Sequence, residues 1–395
     1  MALKASEDER VTAFIDGLPD FTIGVEEEYL IVDPATRDLV ANPPQALLHE
    51  CEAAVAPEVG SVSPELLRSQ IEVGTSVCGS IAEVRERLAT LRRTLAETLA
   101  AHELRIMSAS THPFALWSRQ LPTDRERYKA LTEDMQTLAQ RMVIGGMHVH
   151  VGIPDPQDRI DVLNQVTYFL PHLLALSTSS PFWQGRNTGL RSYRLTILHE
   201  LPRTGLPERF ESHGEYQRMI QSLLDAGLID DPTKVWWDAR PHARLPTLEM
   251  RITDACTSLD DAVCIAALYV CTVSLLARMR RANQRWRTYP LALLAENSWR
   301  AQRYGIDNGL VDFGQNRIKP LDVLMEELLD LIREDAERLD CVAEVEHVRT
   351  ILARGTSAHR QLAVYEAERR SGASEQHALE AVVDWLIEET TAGTG

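Results

Sequence analysis

Apolar residues that favour strands, Ile23, Val25, Tyr29, Ile31 and Val32, predict a central β-strand at residues 22–32, Thr-Ile-Gly-Val-Glu-Glu-Glu-Tyr-Leu-Ile-Val. Successive side chains of a strand point to opposite faces, so Glu26 and Glu28 share one face and Glu27 points to the other. Glutamate is depleted in strands, so this run needs a specific reason. Two like charges on one face repel each other unless a cation lies between them. A metal-binding pair and a solvent-exposed polar face both account for the pattern.

Three later segments repeat this alternation, with apolar residues on one face and polar residues on the other. The polar pairs are Gln70 with Glu72, His148 with His150, and Glu249 with Arg251. If these strands share one sheet, their polar faces converge on a cavity lined by carboxylates, imidazoles and a guanidinium. Such a set of side chains suits metal-assisted phosphate chemistry.

Most of the remaining chain shows helical periodicity. Ser-x-x-Glu and Thr-x-x-Glu patterns at Ser80 and Thr123 predict capping boxes at two helix starts. The predicted helices cover residues 6–16, 81–99, 123–140, 158–176 with a break near Pro171, 207–228, 260–283 and 291–304. Residues 33–60 predict an irregular crossing, and 105–111 a short strand. No repeat or Pro-rich linker divides the chain, so we expect one α+β domain over 1–395, with a curved, mostly antiparallel sheet backed by helices.

The composition of the chain excludes some classes of binding partner and indicates where in the cell the protein is found. The 395 residues carry a net charge of −17, which argues against nucleic acid or an anionic membrane surface as a main partner. The first residues lack an apolar signal core, and no uninterrupted apolar run is long enough to span a bilayer. We therefore expect a cytoplasmic protein. Its six cysteines form no Cys-x-x-Cys pair, so we expect reduced thiols.

The ordered set Gly24-Val-Glu-Glu-Glu, Ile71-Glu, Gly146-Met-His-Val-His and Leu248-Glu-Met-Arg resembles the carboxylate–amine ligases related to type 2 glutamate–cysteine ligase. These belong to the wider glutamine synthetase-like superfamily. The resemblance implies a glutamine synthetase-like catalytic fold, in which the sheet forms an open, funnel-like site. It covers residues 20–310, which would form the ligase core, with 318–395 as a mostly helical C-terminal cover or dimer surface.

The implied activity is ATP-dependent amide formation from a small carboxylic acid and an amine, through an acyl phosphate. Glutamate would give γ-glutamyl transfer to cysteine or another amine. Family members are often homodimers, so a homodimer is one expected state. The implied cofactors are ATP and Mg²⁺, with Mn²⁺ as an alternative because an imidazole ligand also suits that ion.

The resemblance also implies roles for individual residues. The implied metal ligands are Glu26, Glu28, Glu65, Glu72, His148 and Glu249. Arg251 and His150 would be catalytic, and Arg251 would also contact the substrate. ATP would contact His150, Arg240 and Arg300. Arg194 ends a loop rich in Gly, Arg and aromatic residues, and its planar guanidinium could hold a substrate carboxylate through two parallel bonds.

Three other functions compete with ligation. A zinc hydrolase could use His148 and His150, although zinc sites favour His and Cys and the other candidate ligands here are carboxylates. A guanidino kinase shares the superfamily fold and would use ATP without condensation. A non-catalytic scaffold is the third alternative, but buried carboxylates cost desolvation that such a protein has no reason to retain.

Overall fold

The four polar strands lie side by side in one antiparallel sheet of the computed structural model, which describes residues 21–395. The helix expected over 6–16 lies outside that range. The strands are β1 (Ile23–Val32), β2 (Gly60–Pro64), β3 (Gln70–Thr75), β4 (Arg105–Met107), β5 (Met147–Gly152), β6 (Phe182–Trp183), β7 (Arg186–Asn187), β8 (Thr204–Gly205), β9 (Trp236–Trp237), β10 (Ala239–Pro241), β11 (Thr247–Met250), β12 (Leu310–Asp312) and β13 (Arg317–Lys319).

The main sheet has the order β10-β11-β5-β1-β3-β2, and β4 pairs with the far end of β1. Its register sets Glu28 opposite Glu72, Glu26 opposite His148, and Glu249 opposite His150. Directly opposite residues share a face. The expected α+β fold with a mostly antiparallel sheet is confirmed.

Helices cover the other face and surround the sheet. They are α1 (Leu47–Ala54), α2 (Ile81–Ala100), α3 (Glu126–Met135), α4 (Thr137–Gln140), α5 (Pro156–Val166), α6 (Leu170–Ser177), α7 (Arg194–Leu198), α8 (His213–Asp225), α9 (Leu259–Arg281), α10 (Leu291–Tyr304), α11 (Leu321–Arg338), α12 (Val342–Glu346), α13 (Val348–Arg354), α14 (Ser357–Arg370) and α15 (Glu375–Thr391). Short 3₁₀ turns lie at Trp117–Arg119 and Pro232–Lys234.

Several local predictions were wrong. The stretch 33–60 contains helix α1 and leads into strand β2. The predicted cap at Thr123 does not form, because its backbone N–H and hydroxyl donate to the carbonyls of Leu66 and Glu65 instead. Helix α3 therefore begins at Glu126 without a side-chain cap. At Ser80 the prediction holds, since its hydroxyl accepts from the backbone N–H of Glu83.

Helix α9 crosses the centre of the hydrophobic core. Its 23 residues are long and apolar enough for a membrane span by length and composition, although Thr272 and Ser274 interrupt the apolar run. The charged residues are confined to its two ends, and 83% of its most apolar stretch is buried inside the protein. Burial of this kind is typical of a core helix. All six cysteines lie within the described residues as buried free thiols.

A buried ion pair fixes β1 from below. Glu27 points away from the polar face, as predicted, and its carboxylate accepts two bonds from Arg92 of α2, one of them 3.0 Å from Nε to Oε2. The hydroxyl of Tyr29 also donates to Glu27. Arg92 donates further to the carbonyls of Cys256, Thr257 and Thr390 at 2.8, 2.7 and 3.2 Å. Both charged side chains are fully buried, so the pair ties β1 to the segment after β11 and to α15.

Replacing Arg92 by methionine should lower the free energy of unfolding by about 3–5 kcal/mol, because it leaves the Glu27 carboxylate buried without its partner. Arg85→Met is the matched control on the same helix. Arg85 pairs with Asp260 at the surface, so its loss should cost less than about 1 kcal/mol. Urea denaturation of the three proteins measures both effects. Equal losses for the two variants would contradict a special role for the buried pair.

Candidate active site

The polar face of the sheet forms the floor of a cavity of about 460 Å³. All six implied metal ligands line it: Glu26, Glu28, Glu65, Glu72, His148 and Glu249. Arg194, Arg240 and Arg251 line it as well. His150 is buried beside Glu26 and Glu249. The structure thus brings together every implied site residue except Arg300.

Glu28, Glu65 and Glu72 form one carboxylate group, with an oxygen of each within 4.8 Å of the others. Glu65 reaches this group because β2 and β3 form a hairpin and it directly follows Pro64, the last residue of β2. Glu72 accepts a bond of 2.8 Å from the Ser63 hydroxyl. Burial and the charges of Glu26 and Glu28 raise the pKa of Glu72 to about 7, and burial with Glu28 and Glu72 raises the pKa of Glu65. This group is therefore short of positive charge.

Glu26, His150 and Glu249 form a second group of the same dimensions. Nε2 of His150 lies 3.4 Å from Glu26 Oε1. His148 lies between the groups, with Nδ1 3.2 Å from Glu26 Oε2 and Nε2 4.0 Å from Glu28 Oε1. Burial would raise the pKa of Glu26, but the contacts with both histidines outweigh it and lower that pKa. Burial and Arg251 lower the pKa of His148.

Two arginines flank Glu249. Nε and Nη2 of Arg240 donate to its carboxylate at 2.8 and 3.2 Å, and Arg251 donates to the same carboxylate. Burial alone would raise the pKa of Glu249, but the two guanidiniums hold it below its usual range. Nη1 of Arg240 donates to the carbonyls of Thr233 and Val235. Arg240 is thus fixed by the protein, and Arg251 lies nearer to the histidines, 3.5 Å from His148 Nδ1.

Arg194 starts helix α7 and is buried against the backbone of Gly146. Its Nη1 and Nη2 donate to the carbonyls of Ile252 and Arg251 at 3.3 and 3.2 Å. A Cβ at Gly146 would lie 2.3 Å from Nη2, so only glycine lets the guanidinium take this place. Arg300 lies elsewhere. It is on α10, does not line the cavity, and donates to the carbonyls of Gly309 and Asn308.

Further polar residues line the cavity that sequence reasoning did not single out as site residues. They are Arg125, Arg127, Tyr128, Lys234, His242 and Arg244. The ring of His242 lies edge-on to that of His150, with 5.3 Å between centroids. Alternation along Arg240-Pro-His-Ala-Arg244 could have found His242 and Arg244, because all three polar residues share one side of an extended chain. No alternation of this kind marks Arg125, which precedes helix α3, or Arg127 in its first turn.

The donor sets fit divalent cations. Three carboxylates that form no salt bridge with an arginine or lysine among residues 21–395, and a second group of two carboxylates and an imidazole, supply the oxygen-rich coordination of Mg²⁺-like ions. Nε2 of His148 and of His150 is buried and has no hydrogen-bond partner among residues 21–395. A bound cation would satisfy these nitrogens and relieve the repulsion between the carboxylates.

This fold is found in other solved ligases. Glutamate–cysteine ligase from Francisella tularensis superposes with a TM-score of 0.65 at 13% identity, covering 94% of this chain and 89% of that one. A bifunctional glutathione synthetase from Pasteurella multocida gives a TM-score of 0.68 at 17% identity, covering 98% of this chain and 54% of that one. The chain therefore shares its fold with these two enzymes.

Sequence comparison gives the family. The model of glutamate–cysteine ligase family 2 matches residues 22–383. A Rhodospirillum rubrum protein that carries the provisional name glutamate–cysteine ligase 2 is 57% identical over 378 residues, 95% of this chain and 97% of that protein. A relative of the same provisional name from a Jannaschia species is 50% identical over 369 residues, 93% of this chain and 96% of that protein. The chain belongs to glutamate–cysteine ligase family 2, whose members are ATP-dependent carboxylate–amine ligases acting on small molecules.

A divalent cation should stabilise the protein through the Glu28–Glu65–Glu72 group. Millimolar Mg²⁺ should raise the melting temperature, and a concentration of 100 times the Kd corresponds to about 2.7 kcal/mol. In Glu72→Gln most of this increment should be lost, while stability in EDTA stays equal or rises because a repelling charge is gone. Glu58→Gln, at an exposed position before β2, should keep the full increment. Thermal unfolding with and without Mg²⁺ measures the rise in melting temperature. If Glu72→Gln shows the same rise as the wild type, Glu72 is not a ligand of the metal.

Proposed function

We propose that the enzyme uses ATP to activate a carboxylic acid as an acyl phosphate, which an amine then attacks to form an amide. The acid is glutamate, activated at its γ-carboxyl, and the amine is cysteine or another amino compound. The observation that carries this proposal is the placement of two carboxylate groups and Arg251 around one cavity. The names of the relatives, and the Francisella tularensis ligase solved in complex with AMP, support both the reaction class and the nucleotide.

The chemistry requires cations where charge develops. A carboxylate is a poor electrophile, and transfer of the γ-phosphoryl group spreads negative charge over several oxygens. Mg²⁺ held by the two carboxylate groups would neutralise those oxygens. Glu28, Glu65 and Glu72 would hold one ion, and Glu26 and Glu249 with the neighbouring imidazoles would hold another. His148, which lies between the groups, keeps its proposed role as a ligand.

The remaining charged residues fit the substrates. Arg251 is poised beside both groups, so its guanidinium would stabilise the phosphoryl group in transfer. Arg240, Lys234 and Arg244 form the positive side of the cavity, with the imidazole of His242 beside them, and the phosphates of ATP would lie there. His150, buried beside Glu249, would contact the phosphates as well. Arg194 would face the distal carboxylate of the acid through the edge of its guanidinium, whose Nε has no partner within the described structure.

The decisive experiment traces an oxygen atom of the acid's carboxylate into the products. The acid is labelled with ¹⁸O in its reacting carboxylate and supplied with ATP, Mg²⁺ and a productive amine. Acyl-phosphate formation makes one carboxylate oxygen the bridge to phosphorus, and amine attack on carbon releases that oxygen with the phosphate. We expect one label in inorganic phosphate for each amide formed, measured by mass spectrometry. A guanidino kinase or a zinc hydrolase would transfer no carboxylate oxygen to phosphate, so unlabelled phosphate would refute the route.

Arg251→Lys should lose at least about a hundredfold in kcat although it keeps the charge. A lysine ammonium is a point charge and cannot reproduce the planar fork of donors around a phosphoryl group. The KM for ATP should change much less, because the contact strengthens as the phosphoryl group moves. Steady-state kinetics of phosphate release separate the two constants, with Arg85→Lys at the surface as the control. A raised KM with unchanged kcat would assign Arg251 to ground-state binding.

A further inference from the structure

One wall of the active-site cavity is apolar, and none of the proposed steps uses it. It is formed by Leu131 and Met135 of α3, Met142 and Ile144 after α4, and Leu198 and Leu201 at the end of α7. Leu131, Met135 and Met142 are half-buried: they contact the hydrophobic core and also line the cavity. Apolar surface inside a cavity is favourably covered by an apolar part of a ligand.

The two halves of this wall adjoin. Arg141, between α4 and Met142, donates to the carboxylate of Glu200 at 2.5 and 2.7 Å, which holds the α3–α4 segment against the end of α7. Arg194 and Leu198 lie one turn apart in α7, and Leu201 follows in the turn after the helix, where its backbone N–H donates to the carbonyl of Leu198 at 3.1 Å. The apolar wall therefore starts at Arg194 and continues away from it.

That starting point lies close to one of the two carboxylate groups. Arg194 packs on Gly146, and the backbone N–H of Gly146 donates to Glu28 at 2.8 Å. The wall thus begins beside the Glu28–Glu65–Glu72 group. The positive residues Lys234, Arg240 and Arg244 belong, with His242, to the segment that contains β9, β10 and the turn before β11, and their charge suits the polyphosphate.

Glutamate cannot cover the wall, because it carries a charge at each end and only two methylenes between its α-carbon and reacting carboxyl. Adenine is a second apolar group, but the positive residues of the β9–β11 segment favour that other side of the cavity for the nucleotide. We therefore assign the side chain of the amine to the wall. The side chain of cysteine ends one heavy atom beyond Cβ, so it would cover little of a wall that six apolar residues form. Methionine side chains adapt their shape to a bulky apolar group, and two of them line this wall.

We propose that this apolar wall binds the side chain of the amine substrate, and that this substrate is an amino compound with a large apolar side chain, of the size of leucine, methionine or phenylalanine. The inference rests on the proposed function, since it assumes that the cavity joins an acid to an amine. It assigns Met135 and Met142 to acceptor specificity.

The first measurement compares acceptors. With ATP, Mg²⁺ and glutamate, the wild-type enzyme should show kcat/KM for leucine, methionine or phenylalanine at least about tenfold above that for cysteine and alanine, because each added methylene in an apolar pocket gives roughly tenfold or more discrimination. Calorimetric titration of the same amino acids into the Mg²⁺-loaded enzyme gives their affinity independently of turnover.

The second measurement uses wall variants. Met135→Gln and Met142→Gln should raise the KM and the Kd for the apolar acceptor about tenfold, while the KM values for ATP and glutamate stay within about twofold. Met279→Gln is the matched control, since Met279 is also half-buried against the core but lies outside the cavity. It should leave all these constants unchanged.

The outcomes separate the two proposals. Turnover that favours cysteine or alanine would overturn the apolar acceptor and leave ligation intact, and a raised KM for ATP in the wall variants would show that the wall holds adenine instead. A third outcome is that the enzyme releases no phosphate but binds leucine or phenylalanine tightly, and that Met142→Gln weakens this binding. This outcome would support the apolar wall as a binding site and refute ligation. If the enzyme neither turns over nor binds any apolar amino acid, the inference is overturned.

Discussion

The buried pair between Glu27 and Arg92 determines which side chains β1 presents to the cavity. A strand has a side-chain period of two, so a slip of one residue would send Glu27 to the cavity and bury Glu26 and Glu28. Arg92 lies fully buried beneath the sheet, and a slipped register would leave its guanidinium there without a carboxylate partner. The buried guanidinium therefore disfavours the slipped register. Pairing with β3 and β5 then places Glu72 and His148 beside Glu26 and Glu28, the two glutamates that face the cavity.

The two carboxylate groups differ in how their charge is balanced. Glu249 is neutralised by Arg240 and Arg251, and Glu26 is in contact with two imidazoles. Glu65 and Glu72 have no such partner within residues 21–395, and their pKa values rise accordingly. One side of the floor is therefore balanced by the protein's own charges, whereas the other would need a cation from solution to balance it. With the proposed function, such a division would let the arginines remain fixed while ions and phosphates enter and leave.

The sequence predicted the features that follow from local alternation, and it missed those set by distant contacts. The strands around Glu28, His148 and Glu249 have a period of two that depends on no partner, and they were found. Thr123 has the sequence of a helix cap, but carbonyls far along the chain take its donors. Arg300 was placed near the nucleotide by resemblance alone, whereas local carbonyls engage its guanidinium. The apolar wall looked like ordinary helix periodicity, because a residue facing a cavity and one facing the core give the same pattern.

The buried pair also limits which substitutions this sequence can accept during evolution. Glu27 and Arg92 lie 65 positions apart along the chain, yet loss of either leaves a charge without compensation in the interior. Replacement of both by apolar residues of similar volume can be close to neutral. Substitutions at the two positions are therefore accessible together and disfavoured singly. Descendants of this chain should either keep both residues or have exchanged both, so the two positions would covary across an alignment although neither touches a substrate.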